Sequence, residues 1–285
     1  MRPTSSISRL PLLMTVALLP LTMRAAAETA PDKRAYSLSI PVPVAQLREM
    51  STDRPDTTES PFTVDAGHAQ LEMDLLSHAR NRLDGTRTTA LRVAAFNWRF
   101  GITNTFEAGI FVSPWTRATE QPRGALREVS RGFGDVRLRA KFNFWGNDGG
   151  GSAGGLIVDL KLPTAARGLG NDAVEGGVIL PMSFELPGGW ELGAMTKVDL
   201  RAKDTGSGRR KVWVNTITTG RDLTKAIGAY VELTSETGDG THVATFDVGV
   251  TFKLNAHTQL DCGAKIGLSR AADDLVVFTG LSRRF

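Results

Sequence analysis

The stretch "GFGDVRLRAKFNFW", residues 132–145, decides the fold class. Asp135, Arg137, Arg139, Lys141 and Asn143 are polar, while the residues between them, Val136, Leu138, Ala140, Phe142 and Phe144, are apolar. A strand sends alternate side chains to opposite faces, so this segment has one charged face and one apolar face. The same period of two recurs from Gly67 to the end. Leu71, Met73 and Leu75 oppose Glu72, Asp74 and Leu76, and Leu156, Val158, Leu160 and Leu162 oppose Ile157, Asp159 and Lys161. Phe246, Val248, Val250 and Phe252 oppose Asp247, Gly249, Thr251 and Lys253. Helical periodicity is scarce, and 30 glycines suit a turn-rich all-β chain.

The pattern yields about twelve strands, most of about ten residues, enough for a tilted strand to cross a bilayer's hydrocarbon core. They begin near His68, Thr88, Thr105, Phe133, Gly155, Gly176, Trp190, Lys211, Ala226, His242, Thr258 and Leu275. Their connections alternate in length. Tight turns are expected at 101–104, 187–189, 221–225 and 255–258, and longer polar loops at 79–87, 113–131, 164–175, 202–210, 235–241 and 269–274. "GNDGGGSAGG" from Gly146 is longer than its place among the tight turns predicts. It lacks the Lys-Ser/Thr ending of a phosphate loop and reads as a flexible turn.

Alternation alone does not separate a soluble sandwich from a membrane barrel. The ends do. Arg2 and Arg9 precede the apolar run "LPLLMTVALLPLTM", and Ala25–Ala27 supply small residues for cleavage, so residues 1–27 read as a secretory signal. The last strand presents Leu275, Val277, Thr279, Leu281 and a terminal Phe285 on one face, a pattern the bacterial barrel-assembly machinery recognises. Arg283 departs from that pattern. Phe96, Trp98, Phe100, Phe106 and Trp190 suit an aromatic girdle. The mean hydropathy of −0.13 fits, because alternation hides the apolar face in the average. The expectation is therefore an all-β protein, a closed antiparallel transmembrane barrel over residues 67–285. Residues 28–66 form an irregular periplasmic or lumenal segment, and its stretch Pro55 to Phe62 is a candidate plug. The location is the outer membrane of a Gram-negative bacterium, with both termini periplasmic and the surrounding lipid as a partner.

At "RPDTTESPFTVDAGHAQLEMDLLSH", from Arg54, the chain resembles the bacterial outer-membrane "transporter" proteins grouped as the phenol-degradation meta-pathway family. The "GFGD" run at Gly132–Asp135 with its basic strand adds to the likeness, which extends to Phe285; Ala69 departs from it. The resemblance implies an outer-membrane barrel admitting small molecules and brings no catalytic motif.

The lumen is expected to be lined by Glu72, Asp74, Glu107, Asp135, Arg137, Arg139, Lys141, Asp159, Lys161, Glu185, Lys197, Asp199, Glu232, Asp247, Lys253, Asp261 and Lys265, with Arg284 at the end. Acids and bases balance there, so strong ion selectivity is not expected. The chain's 34 bases against 30 acids, with no basic stripe interleaved with aromatics, give no case for nucleic acid. A single cysteine, Cys262, excludes an internal disulfide and reads as lipid-facing. The histidines, His68, His78, His242 and His257, lack metal-ligand spacing, and no cofactor is implied. A channel for small solutes, aromatic compounds among them, is the leading reading. An outer-membrane enzyme is the rival, for which His78 near Asp273 or Asp274 is the candidate pairing. A structural or adhesive barrel acting through the 113–131 loop is the third.

Overall fold

The computed structural model describes residues 32–203 and 207–285; the expected signal at 1–27 and part of the 202–210 loop lie outside them. One 14-stranded antiparallel sheet forms the molecule. Its strands are β1 (Ala69–Leu83), β2 (Thr86–Thr103), β3 (Phe106–Val112), β4 (Trp115–Gln121), β5 (Glu128–Gly132), β6 (Val136–Trp145) and β7 (Ser152–Leu162), then β8 (Glu175–Leu186), β9 (Trp190–Ala202), β10 (Arg209–Asp222), β11 (Ile227–Gly238), β12 (Thr241–Asn255), β13 (Thr258–Gly267) and β14 (Leu275–Arg284).

β1 pairs with both β2 and β14, which closes the sheet into a barrel. Closure pairs the wall strands all the way round, the condition for a β structure in lipid, and only toward the distal end does β5 pair with β4 alone. β2 pairs with β3 along Phe96–Thr103 and with β4 along Arg87–Val93. Thus β3 and β4 are two halves of one wall strand, interrupted at Ser113–Pro114, and β5 and β6 are halves of the next. The barrel therefore has twelve wall strands, as the alternation predicts.

β1 begins and β14 finishes at the same end, called the terminal end below; the opposite end is the distal end. The turns at 104–105, 187–189 and 256–257 are tight and lie at the terminal end. Three expected loops at the distal end are corrected. The 79–87 and 235–241 loops are two-residue turns at Asp84–Gly85 and Asp239–Gly240. All four residues have positive φ (49° and 80°, then 47° and 74°). These are the mirror-image turns whose twist matches a hairpin, and Asp-Gly is their usual sequence. The 113–131 loop is largely the β4–β5 hairpin, leaving 122–127 outside the ladder. Polar residues on both strands of each hairpin made extended wall look like loop. The strands are accordingly longer than expected, reaching 18 residues in β2.

The apolar face points outward. Leu138 and Leu160 pair across β6 and β7, and both are exposed; Val158, Val178, Leu233 and Val248 are exposed likewise. One expected face is corrected: a bulge on β1 between Asp74 and Leu76 turns Leu75 and Leu76 both outward. Aromatic rings collect near the terminal end, where Trp98 lies 5.8 Å from Phe100 and 5.5 Å from Phe285, and Phe106 stacks on Phe142 at 4.6 Å. Arg283 lies over the Phe285 ring at 5.3 Å, and Cys262 is exposed on the outer face. Leu160→Arg, on the lipid side of the wall, is expected to cost about 2–4 kcal/mol in vesicle unfolding experiments.

Candidate functional site: the filled lumen

Residues 32–50 dress the terminal rim. The Leu38 amide donates to the Ile102 carbonyl at 2.8 Å, and Arg48 pairs with Asp65 at 2.9 Å. Lys33 pairs with Asp65 at 3.2 Å. Arg284 donates to the Arg48 carbonyl at 2.7 Å. Residues 51–64 then run inside the barrel, and their contacts reach most of its circumference.

Arg99 of β2, 1% exposed, is the hub on one side. It donates to Glu72 at 2.6 Å, to Glu107 at 2.8 and 2.9 Å, and to the Phe62 carbonyl at 2.9 Å. Lys141 binds Asp53 at 2.6 Å, and the Asp53 amide donates to Glu72 at 3.0 Å. Arg54 binds Asp74 and also Asp261, at 2.7 Å, and lies over the Phe278 ring. The Thr57 and Thr58 amides donate to the two Glu232 oxygens at 2.8 and 2.7 Å, and the Thr58 hydroxyl adds a 2.6 Å bond. Thr57 also reaches Asp247 and Lys265, which pair with each other at 3.0 Å. Glu59 binds Arg139 at 2.6 Å, Asn143 donates to the Pro61 carbonyl at 3.0 Å, and the Val64 amide donates to Glu107 at 2.8 Å.

The inserted segment has no regular structure, so its backbone groups have no ladder partners. Lumenal carboxylates and amides replace them, which a buried backbone requires. Conversely, Glu232, Asp247 and Asp261 are at most 1% exposed, and the segment supplies donors to each. Gly280 leaves the space for Arg54: a Cβ there would overlap the guanidinium.

The remaining expected lining residues form other groups. Toward the distal mouth, Asp159 binds Arg137 at 2.9 Å and lies 3.7 Å from Lys197, which binds Asp199 at 3.1 Å. Asp135 stands in the break between β5 and β6; it accepts the Thr164 and Ala165 amides and pairs with Lys161 at 3.0 Å, fixing the 163–174 connection. Lys253 lies at the terminal rim with Glu49 and Asp222, each at 2.9 Å. Glu185, also near that end, is exposed and has no side-chain partner among the described residues.

The alternation rule finds most of the charged lumenal residues and puts Asn143 on their face, but it misses the hub Arg99 and uncharged companions. Asn147 donates to the segment, and Thr216 meets the Thr58 hydroxyl at 2.6 Å. It also misses a buried aliphatic wall of Ile157, Ile179, Met195, Val212 and Val214. Val212 and Val214 alternate with the exposed Lys211 and Trp213, so both faces of β10 carry apolar residues and the contrast between them fades.

His68 lies between the Val42 and Phe285 carbonyls at 2.8 and 3.0 Å, and His257 accepts from Arg284 at 3.3 Å. His78 pairs with Val277 across the β1–β14 seam. His242 lies 3.1 Å from the Ser235 hydroxyl. No group of three His, Cys, Asp or Glu side chains among the described residues is placed to hold a metal ion.

Burial opposes the charge of Asp53, but Arg99, Lys141 and Arg139 overcome it and hold its carboxyl down at about 2. A depressed carboxyl contributes stability that is present above its ordinary value of 3.8 and is lost as pH falls through about 2. That difference amounts to about 2 kcal/mol. Asp56 has the opposite sign, because burial and the Glu232 carboxylate push it well above the ordinary range. Its ionisation works against docking as pH rises. Asp56→Asn is therefore expected to slow cleavage at Glu59 by a Glu-specific protease at neutral and alkaline pH, whereas Asp53→Asn accelerates it. Gly280→Val is expected to eject Arg54 and expose Glu59 to that protease, while heat-modifiable gel mobility shows an intact barrel.

A family model matches residues 52–285, so the match begins within the inserted segment. No curated protein matches the chain at a significant level. Among solved structures, the COG4313 outer membrane channel from Pseudomonas putida F1 is similar, with a TM-score of 0.60 at 14% identity over 82% of this chain and 100% of that one. The NanC porin gives a TM-score of 0.50 at 9% identity over 75% and 98%. These likenesses concern the fold. The family match spans most of the chain, and the protein belongs to the family described as "Putative MetA-pathway of phenol degradation".

Proposed function

We propose that the protein is an outer-membrane channel for small solutes and that residues 51–64 are the plug that closes it. The observation that carries this reading is the Glu232 seat, where two consecutive backbone amides of the segment bind both oxygens of one lumenal carboxylate. Each such bond to a charged acceptor is worth about 1.5–3 kcal/mol, strong enough to hold a loop and weak enough to release.

The solute class follows from the two unlike sides of the lumen. Its charged side is balanced and favours neither ion strongly. Its aliphatic wall, Ile157 to Val214, gives an apolar or aromatic solute a surface to follow once the segment withdraws. Apart from Glu185 at the rim, the expected charged lining residues bind the segment, the rim or one another, which favours transport over catalysis. His242 and Ser235 lie on the outer face, with no carboxylate bound to the imidazole among the described residues. The terminal end faces the periplasm in this reading, as short turns do in bacterial barrels, and β14 with Phe285 is what the assembly machinery engages.

A reversible tether tests the plug. Thr58→Cys with Thr216→Cys, in a Cys262→Ser background, joins positions whose hydroxyls lie 2.6 Å apart. In planar bilayers the oxidised protein is expected to stay closed, and reduction to restore discrete openings. Silence in both states from a correctly folded barrel would remove the channel reading and favour a structural barrel.

A further inference from the structure

Six arginines crowd one patch of the outer surface at the distal end: Arg80 and Arg82 on β1, Arg87 on β2, Arg117 on β4, Arg131 on β5 and Arg127 in the β4–β5 turn. Strand register fixes the face. Leu76, Val93 and Trp115 form one row, whose Leu76 and Trp115 are exposed. The next row on that face is His78, Leu91, Arg117 and Arg131. Above it stand Arg80, Thr89, Thr119 and Val129, and then Arg82, Arg87 and Gln121.

Two features set this patch apart from an ordinary solvated surface. Arg82 is directly opposite Arg87, and Arg117 directly opposite Arg131. Like charges in such pairs destabilise a sheet. No side-chain hydrogen bond or ion pair relieves any of the six among the described residues. Glu120 and Glu128, on the same hairpin, occupy the alternate, inward positions, and Asp84 at the neighbouring tip is held by Arg270. The arginines also line two depressions. One is formed by Trp115, Arg117, Val129 and Arg131, the other by Arg87, Thr89, Thr119, Gln121 and Arg127.

A guanidinium fork matches phosphate oxygens, and paired forks over an apolar floor suit a phosphate attached to a lipid. The height agrees. Trp115 marks the edge of the apolar band, where tryptophan is favoured. Arg117 is the next residue on that face, about 7 Å farther along the strand. That is headgroup level.

We propose that this patch binds the phosphates of a phosphorylated glycolipid of the outer leaflet, the lipid A portion of lipopolysaccharide. The proposal rests on the reading that the distal end faces outward from the cell.

The test measures binding of diphosphoryl lipid A to the refolded full-length barrel in detergent, beside dephosphorylated lipid A and inorganic phosphate. Arg117→Gln/Arg131→Gln and Arg82→Gln/Arg87→Gln are compared with the parent, each shown folded by heat-modifiable mobility. Binding that needs the lipid phosphates and weakens about tenfold or more in a variant supports the proposal. Equal binding by parent and both variants overturns it. So does equal affinity for inorganic phosphate, or binding indifferent to the phosphates. Orientation is read separately from Ala125→Cys in a Cys262→Ser background, labelled on intact cells with an impermeant maleimide. Labelling without phosphate-dependent binding rejects the glycolipid alone. Absence of labelling rejects the orientation, and the proposal falls with it.

Discussion

Everything in the lumen depends on the pairing of charges withdrawn from water. A barrel of twelve wall strands turns an alternating sequence into a narrow tube with its polar side chains inside. There, Glu72, Glu107, Glu232, Asp247 and Asp261 are all nearly inaccessible. Carboxylates in that position need donors, and the cost of leaving one without a partner is several kcal/mol. Lumenal bases meet part of the need: Arg99 serves Glu72 and Glu107, and Lys265 serves Asp247. Residues 51–64 meet the rest, through Arg54 and through the amides of Asp53, Thr57, Thr58 and Val64.

The dependence runs both ways. The segment is irregular, so its own amides have no sheet or helix to join. Outside the barrel they would bond to water; inside, the Asp53 and Ser60 side chains accept the Ser60 and Phe62 amides, and the wall takes the Asp53, Thr57, Thr58 and Val64 amides. Segment and wall are therefore two halves of one polar network, and such networks are stable when complete and costly when broken. Opening a path requires exchanging these bonds for bonds to water within the tube. The electrostatics of Asp53 and Asp56 pull that exchange in opposite directions with pH, so the network holds both a fastening and a loosening group within four residues.

Much of this was legible from alternation. The stretch from Val136 to Phe144 announced its two faces without help from any other part of the chain, and the closed barrel followed. Its basic members went to partners that alternation could not name: Arg137 to Asp159 on the next strand, but Arg139 and Lys141 to Glu59 and Asp53 of the inserted segment. An irregular segment has no period, so nothing local says where it lies. Turn chemistry was the other gap. Asp84–Gly85 and Asp239–Gly240 carry the hairpin signal, but the polar residues around them resemble loop because their strands run past the apolar band. At Leu75 a bulge moved one side chain against the rule, which no periodic reading detects.

The most direct measurement of the central claim is amide hydrogen exchange in the refolded, full-length barrel at neutral pH. If residues 51–64 are seated on the wall, the Thr57, Thr58 and Val64 amides exchange far more slowly than free peptide, and Glu232→Gln accelerates Thr57 and Thr58 while sparing Val64. Exchange of all three at the free-peptide rate, from a barrel whose strand amides remain protected, would contradict the account.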